Sequence, residues 1–308
     1  MKHLFIINPA AGAKDHTGDH AANIRHDCKM RDLDFEIKVS TEPGDCTRLA
    51  REAAQTGEEY RIYACGGDGT LNEVVAGAAG YPNVAVTMLS GGSGNDFVKI
   101  FDDPKAFCDL ERLLDAEETT FDLIRCNDDL ALNICSVGLD ARVCADFYDL
   151  KRLPFLHGFR AYALSTAINL VKGISEHYRV EIDGESFDGR FTFVCACNGR
   201  FYGGGFNPVP EADPTDGKLD ILLVNHVPRT AVPFAIGKYK NGRYQELSKY
   251  ARYFRTDNVK IICDRPTPVN LDGEMRKATV VEMKLAEEKI RFFYPRGLTW
   301  QVRESAEV

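Results

Sequence analysis

Three short loops carry the residues best suited to chemistry. Cys65-Gly66-Gly67-Asp68-Gly69-Thr70-Leu71-Asn72-Glu73 leaves an apolar run and enters a helical pattern. Glycines let a backbone approach a ligand closely, and the N–H groups at a helix start hold phosphate. Asn8-Pro9-Ala10-Ala11-Gly12 and Ser90-Gly91-Gly92-Ser93-Gly94-Asn95-Asp96 follow two other apolar runs in the same way. Each alone is a weak signal, because a plain strand–helix turn also uses such residues. Three on the strand C-terminal edge of one parallel sheet form a phosphate-binding set.

Other fingerprints are missing. There is no Gly-x-x-x-x-Gly-Lys-Ser/Thr, and the third glycine of a dinucleotide motif is replaced by Asn72. There is no His-Glu-x-x-His, and the seven histidines are scattered. Asp-Gly-Glu occurs twice, as Asp183-Gly184-Glu185 and Asp272-Gly273-Glu274, each after an alternating strand. Asp-Gly is a favoured hairpin turn. Pattern alone does not choose between the copies, and both read first as turns with an exposed Glu.

Taken together, these segments resemble the diacylglycerol kinase catalytic family. The resemblance rests on Gly66-Gly67-Asp68-Gly69-Thr70, Asn72-Glu73, Gly92-Ser93-Gly94-Asn95-Asp96-Phe97 and Leu271-Asp272-Gly273-Glu274, in order along almost the whole chain. The family includes soluble bacterial lipid kinases and is related to sphingosine and ceramide kinases. The Gly-Gly-Asp-Gly-Thr segment is shared with NAD kinases and phosphofructokinases, while the Gly-Asn-Asp-Phe block and the late Asp-Gly-Glu narrow the match to lipid kinases.

The resemblance implies roles. Asn8, Pro9, Ala10, Ala11 and Gly12 would help hold ATP, and Thr41 would sit at the nucleotide. Gly66, Gly67, Asp68, Gly69, Thr70, Leu71 and Asn72 would cradle the phosphates. Ser93 stands where the family more often has Thr, which keeps the hydroxyl. Glu274, in the second Asp-Gly-Glu, would be the general base on the lipid hydroxyl. Asp272, Asp122 and Asp68 would support the base and the catalytic magnesium. Asp213, Asp216 and the Lys218 carbonyl would hold a second, structural magnesium. The same loop, Asp213-Pro214-Thr215-Asp216-Gly217-Lys218, is also ideal turn chemistry without metal. Two other readings stay open: an NAD kinase-like small-molecule kinase, and a non-catalytic nucleotide- or membrane-binding module.

A lipid kinase must visit a bilayer. Two stretches suit an anionic interface. Lys238 to Arg255 interleaves six cations with tyrosines against a single Glu246. It reads equally as a solvated helix face over packed tyrosines. Lys151-Arg152-Leu153-Pro154-Phe155-Leu156 is the other. The expected partners are ATP, a membrane lipid, the membrane surface and a second copy of the chain.

The elements that must position these residues divide the chain. Before residue 122, strands and helices alternate with short loops, which predicts a parallel sheet covered on both faces. Beyond it strands dominate, punctuated by Asp-Gly turns, which predicts antiparallel β. The expected architecture is an α/β N-terminal domain with a parallel sheet, NAD kinase/phosphofructokinase-like, and a C-terminal β-sandwich-like domain. The first covers 1–122 with a return near 295–308, the second 123–294. ATP is expected in the crevice between them.

Composition agrees with that frame. The 308 residues are 44% hydrophobic and 27% charged, the balance of a folded soluble protein. The net charge of -8 argues against general nucleic-acid binding. The uncharged run Val74 to Asn95 holds five glycines and Pro82, so it reads as two elements and not a membrane span. Ten cysteines without a secretion signal imply reduced thiols in a cytoplasm, and their spacing suits no zinc module. Cys195 and Cys197 read as a buried pair on one strand face.

Overall fold

A computed structural model describes residues 1–11, 17–91, 95–150 and 159–300. The chain divides into two units, Met1–Leu123 with the segment from Ala286 onward, and Ile124–Leu285.

The first unit opens with β1 (Lys2–Ile7), α1 (Thr17–Met30), β2 (Phe35–Val39), α2 (Asp45–Gln55), β3 (Tyr60–Gly66), α3 (Asp68–Ala78) and β4 (Val84–Ser90). The four strands run parallel in the order β2-β1-β3-β4. β1, β3 and β4 are almost wholly buried, as apolar runs in a sheet covered on both faces must be. Gly77 lets α2 and α3 touch, since a Cβ there would lie 2.3 Å from the Thr47 carbonyl oxygen. Beyond β4 come a 3-10 turn, Pro104–Cys108, and then α4 (Leu110–Leu114). Asp109 causes the break, because its carboxylate caps the new helix by accepting from the Glu111 and Arg112 N–H groups. β5 (Ala116–Phe121) follows.

The second unit contains β6 (Ile124–Cys126), β7 (Asp129–Ala131), β8 (Ile134–Gly138), α5 (Leu139–Leu150), α6 (Phe159–Lys172), β9 (Glu176–Ile182), β10 (Glu185–Cys197), β11 (Leu219–Asn225), α7 (Val232–Lys240), β12 (Ala251–Thr256), β13 (Asn258–Leu271) and β14 (Glu274–Leu285). Every pairing between these strands is antiparallel. The long strands β10 and β13 each pair β9 along one half and β8 along the other. A bulge between Ile262 and Thr267 lets β13 turn from one partner to the other. The sheet thereby folds over a core that includes Ile124, Val137, Val180, Ile221 and Leu271. This is the sandwich-like half. Cys195 and Cys197 are buried in it, Sγ to Sγ 3.9 Å, and all ten cysteines are free thiols.

β15 (Ile290–Pro295) returns to the first unit, parallel to β4 and antiparallel to β5. The return therefore begins at Ala286, earlier than the expected 295. The reason lies in its side chains. Phe292 is fully buried among Phe97, Phe101, Phe107 and Phe121. Trp300 forms a bridge with Phe101, and residues 301–308 lie outside the described ones.

The stretch Lys238 to Arg255 is not one helix face. It runs through the end of α7, a 3-10 turn at Tyr244–Leu247 and most of β12, with Tyr239 and Tyr244 buried. The second stretch, Lys151 to Leu156, lies outside the described residues. Among the described residues no helix is long and apolar enough to cross a membrane.

Candidate active site

In the first unit the strand order β2-β1-β3 reverses direction at β1. Loops at the C-terminal ends of β1 and β3 therefore flank a switch point, where open α/β sheets bind ligands. The two loops are joined there. The Asn8 N–H donates to the Cys65 carbonyl (3.1 Å), and Asn8 Nδ2 donates to Thr70 Oγ1 (3.0 Å). Asn8 Oδ1 accepts from the Ala10 N–H and shapes the Asn8–Ala11 turn.

The three glycines of the β3 loop differ in what surrounds them. A Cβ on Gly66 would meet Thr70 Oγ1 at 2.4 Å, so Gly66 is required by packing. A Cβ on Gly67 would reach nothing closer than Asn95 Oδ1 at 3.9 Å, and one on Gly69 would meet nothing within 4 Å. The fold itself does not demand glycine at either place. Gly67 is the N-cap of α3, and no side chain caps the helix. First-turn N–H groups have no partner inside a helix and carry its positive end. An open, uncapped helix start with space over two glycines fits a polyphosphate.

Asp68 anchors the neighbouring loop, since its Oδ1 accepts from the Phe97 N–H (3.1 Å). Burial raises its carboxyl pKa above the usual range, while the backbone N–H groups of Asp96 and Phe97 pull the other way. The β4 loop closes the edge through the Gly91 N–H to the Gly66 carbonyl (3.2 Å). Gly12 and Ser93 lie outside the described residues.

Three of the expected nucleotide or catalytic residues make contacts within their own unit. Leu71 is buried in the core and its N–H donates to the Gly67 carbonyl (3.1 Å), so it packs α3. Thr41 uses both its N–H and its hydroxyl on Asp45 Oδ2 (2.9 and 2.7 Å). The Thr41 hydroxyl and N–H, with Arg48, push the Asp45 carboxyl down to about 2. Asp122 is 1% exposed and pairs with Lys289 at 2.7 Å, so its charge is neutralised by β15's own leader segment. Asn72 is buried and its Oδ1 makes no hydrogen bond.

The second unit separates the two Asp-Gly-Glu copies. Both turns have left-handed Asp and Gly, with Asp183 at φ 51 and Asp272 at φ 50. Asp183, Gly184 and Glu185 are all exposed, and Asp183 Oδ1 accepts one hydrogen bond, from the Thr256 hydroxyl. Asp272 instead accepts three backbone hydrogen bonds, from Leu132 (2.7 Å), Asn133 (2.9 Å) and Ile134 (2.7 Å). Asn270 Oδ1 accepts from the Gly273 N–H (2.9 Å). Asn198 Nδ2 and Asn133 Nδ2 extend this buried network to the Leu132 and Phe201 carbonyls. Glu274 begins β14 from that fixed turn, partly exposed, with Arg276 3.3 Å from Oε2. The Glu274 carboxylate thus leaves the anchored turn partly exposed and accepts from Arg276.

The Asp213–Lys218 loop does not fit a magnesium ion. Asp216 Oδ1 accepts from the Lys218 N–H (2.9 Å) and Oδ2 from Arg255 (2.6 Å). Asp213 Oδ1 accepts from the Thr215 N–H and hydroxyl (3.0 and 2.7 Å). The buried Arg200 lies close enough for Asp213 to favour its charge. The loop's carboxylates thus face internal donors and guanidinium groups. Among the described residues no cluster of three or more His, Cys, Asp or Glu side chains is arranged for a metal.

Residues 2–126 match the diacylglycerol kinase catalytic domain, and residues 133–293 match the YegS C-terminal NAD kinase beta sandwich-like domain. The chain belongs to the diacylglycerol kinase catalytic-domain family. A Staphylococcus carnosus (strain TM300) protein named "Putative lipid kinase" is 26% identical over 85% of this chain and 86% of its own. A Staphylococcus aureus (strain MRSA252) protein of the same description is 25% identical over 83% and 85%. Two solved structures share the fold. A "putative diacylglycerol kinase from Bacillus anthracis str. Sterne" has a TM-score of 0.72 at 23% identity, covering 96% of this chain and 97% of its own. Another diacylglycerol kinase structure from that strain has a TM-score of 0.67 at 20% identity, covering 97% and 98%.

Within this lipid-kinase family frame, the residues that sequence reasoning overlooked are the supporting ones. Asn133, Asn198 and Asn270 are buried amides with no local pattern, and only long-range contacts reveal them. Lys289 and Arg255 likewise gain meaning from partners 167 and 39 positions away.

Proposed function

We propose that the protein transfers the γ-phosphoryl group of ATP, taken as its magnesium complex, to the hydroxyl of diacylglycerol or a related lipid. The observation that carries this reading is the uncapped start of α3 at the β1/β3 switch point, with space above Gly67 and Gly69. Backbone N–H groups there oppose the charge of the phosphates, and Asn8 and Thr70 hold the loop in shape. In the second unit Glu274 takes the proton from the lipid hydroxyl as its oxygen bonds to the γ-phosphorus. The bond from that phosphorus to the β–γ bridging oxygen breaks, and ADP leaves. Asp272 positions Glu274 by fixing the turn beneath it. Phosphoryl transfer needs positioning, charge stabilisation and proton removal, and these residues supply each.

An ATP-consumption assay tests the reading across diacylglycerol, phosphatidylglycerol, sphingosine, polyprenol and NAD. NAD is included because the second half matches an NAD kinase-like sandwich. Turnover with diacylglycerol or another lipid is expected. Turnover with NAD alone would make it a nucleotide kinase, and none at all would make it a binding module.

A further inference from the structure

The sheet of the first unit has an edge strand whose outer side carries no partner strand. β2 lies at the end of the strand order, and among the described residues it pairs only with β1. The Asp34 carbonyl accepts from the His3 N–H (2.9 Å), and the Ser40 N–H donates to the Ile7 carbonyl (2.9 Å). Both groups therefore point to β1. Backbone direction alternates along a strand, so Glu36 and Lys38 also turn their N–H and C=O groups to β1. Phe35, Ile37 and Val39 turn theirs outward. Such a row is a template for one more strand.

The segment Phe35-Glu36-Ile37-Lys38-Val39 is complementary to itself read backwards. Antiparallel pairing of two copies about Ile37 sets Ile37 against its own copy and Phe35 against Val39. These are the residues with outward N–H and C=O groups, so both kinds of pair exchange hydrogen bonds. Glu36 then lies opposite Lys38 in the intervening pairs, where side chains come closest. Acid against base and aromatic against β-branched are favourable cross-strand pairs. Within one chain Glu36 and Lys38 already stand 3.8 Å apart, both partly exposed. A copy leaves that pair in place and gives each charge a second opposite neighbour, an alternating square of four. Pairing also covers apolar surface, since Phe35 and Ile37 are half-buried and Val39 is 42% exposed.

The register is specified. A slip of two residues in either direction sets Glu36 against Glu36 or Lys38 against Lys38, and like charges directly opposite repel. The other sheet ends do not fit a copy in this way. β5 carries Glu117 and Glu118, already held by Arg296, Arg61 and Arg291. β12 carries Arg252 and Arg255 and no acid, with Arg255 holding Asp216. Charge on an edge strand ordinarily keeps copies apart. It does so for an edge of one sign, while the two charges of β2 attract in this register.

We propose that β2 pairs antiparallel with β2 of a second copy of the chain, centred on Ile37, and joins the two first-unit sheets into one. The proposal does not depend on the kinase reading. Because the strands run antiparallel, the C-terminal edges of the two sheets lie at opposite ends, and neither copy covers the other's phosphate loops.

Sedimentation equilibrium of the full chain tests it, with a dimer expected at concentrations up to about 100 µM. Glu36→Lys sets cations opposite each other, and Lys38→Glu sets acids opposite each other. Each should raise the dimer Kd at least about tenfold. Mixed in equal amounts, the two variants should form a heterodimer, because every lysine then faces an acid. Both side chains are partly exposed, so thermal melts should stay close to wild type. A wild type that is monomeric throughout that range overturns the proposal. Single variants that dimerise as tightly as the wild type overturn it too, since the dimer would then use another surface. So does a mixture that associates no better than either variant alone.

Discussion

Glu185 and Glu274 close the same two-residue turn, yet their surroundings differ. The first turn is exposed and tied by the Thr256 hydroxyl alone, while the second is held by three N–H groups on Asp272. Glu274→Gln is expected to lower kcat by about 10²–10⁴-fold with an unchanged melt. Glu185→Gln should leave turnover at the wild-type level, and a loss there equal to that of Glu274→Gln would reverse the assignment. A second residue-scale prediction concerns the Asp213–Lys218 loop. Because Arg255 already occupies Asp216, chelation should leave the Tm unchanged in thermal melts. Arg255→Ala should lower the Tm with or without chelator. A Tm that drops on chelation in the wild type would restore the metal.

At the scale of elements, α3 and its glycines make a paired test. Gly66→Ala drives a Cβ into Thr70 and should destabilise by about 1–3 kcal/mol in urea unfolding. Gly69→Ala meets open space and suits a helix start, so stability should hold or rise slightly. ATP affinity should nonetheless fall about tenfold, read by titration, as the methyl enters space meant for phosphate. β1 makes a different prediction. His3 is buried, with Nδ1 2.9 Å from the Tyr63 hydroxyl. Burial first, and the Arg61 charge second, push its pKa from the ordinary 6.5 down to about 4. Between those values the unfolded chain binds a proton that the folded chain does not. Stability should therefore fall as pH drops from 6.5 toward 4. His3→Gln should flatten that part of the curve, as measured by urea midpoints at each pH.

For the whole molecule, the decisive strand is the last one. β15 lies between β4 and β5, so the first unit is completed only by residues that come after the second. Phe292→Ala should cost about 3–5 kcal/mol. Circular dichroism of a chain ending at Leu285 should show the first unit's structure lost. A native spectrum would mean that the sheet closes without β15.

Much of this was legible early because glycine loops, strand alternation and Asp-Gly turns are local patterns. The parallel half, the sandwich-like half and the phosphate loops all follow from residues within a few positions of each other. Pairings across long separations have no such trace. Asp122 finds Lys289, Asp272 finds Leu132 to Ile134, and β15 finds β4. The sequence by itself determined the family, the two kinds of sheet and the loops rich in glycine. Only the tertiary structure decided which glycines face open space, which Asp-Gly-Glu is anchored, and which carboxylates already have a partner. The physical reason is that propensity and spacing act along the chain, while burial, charge pairing and free volume depend on what packs across it.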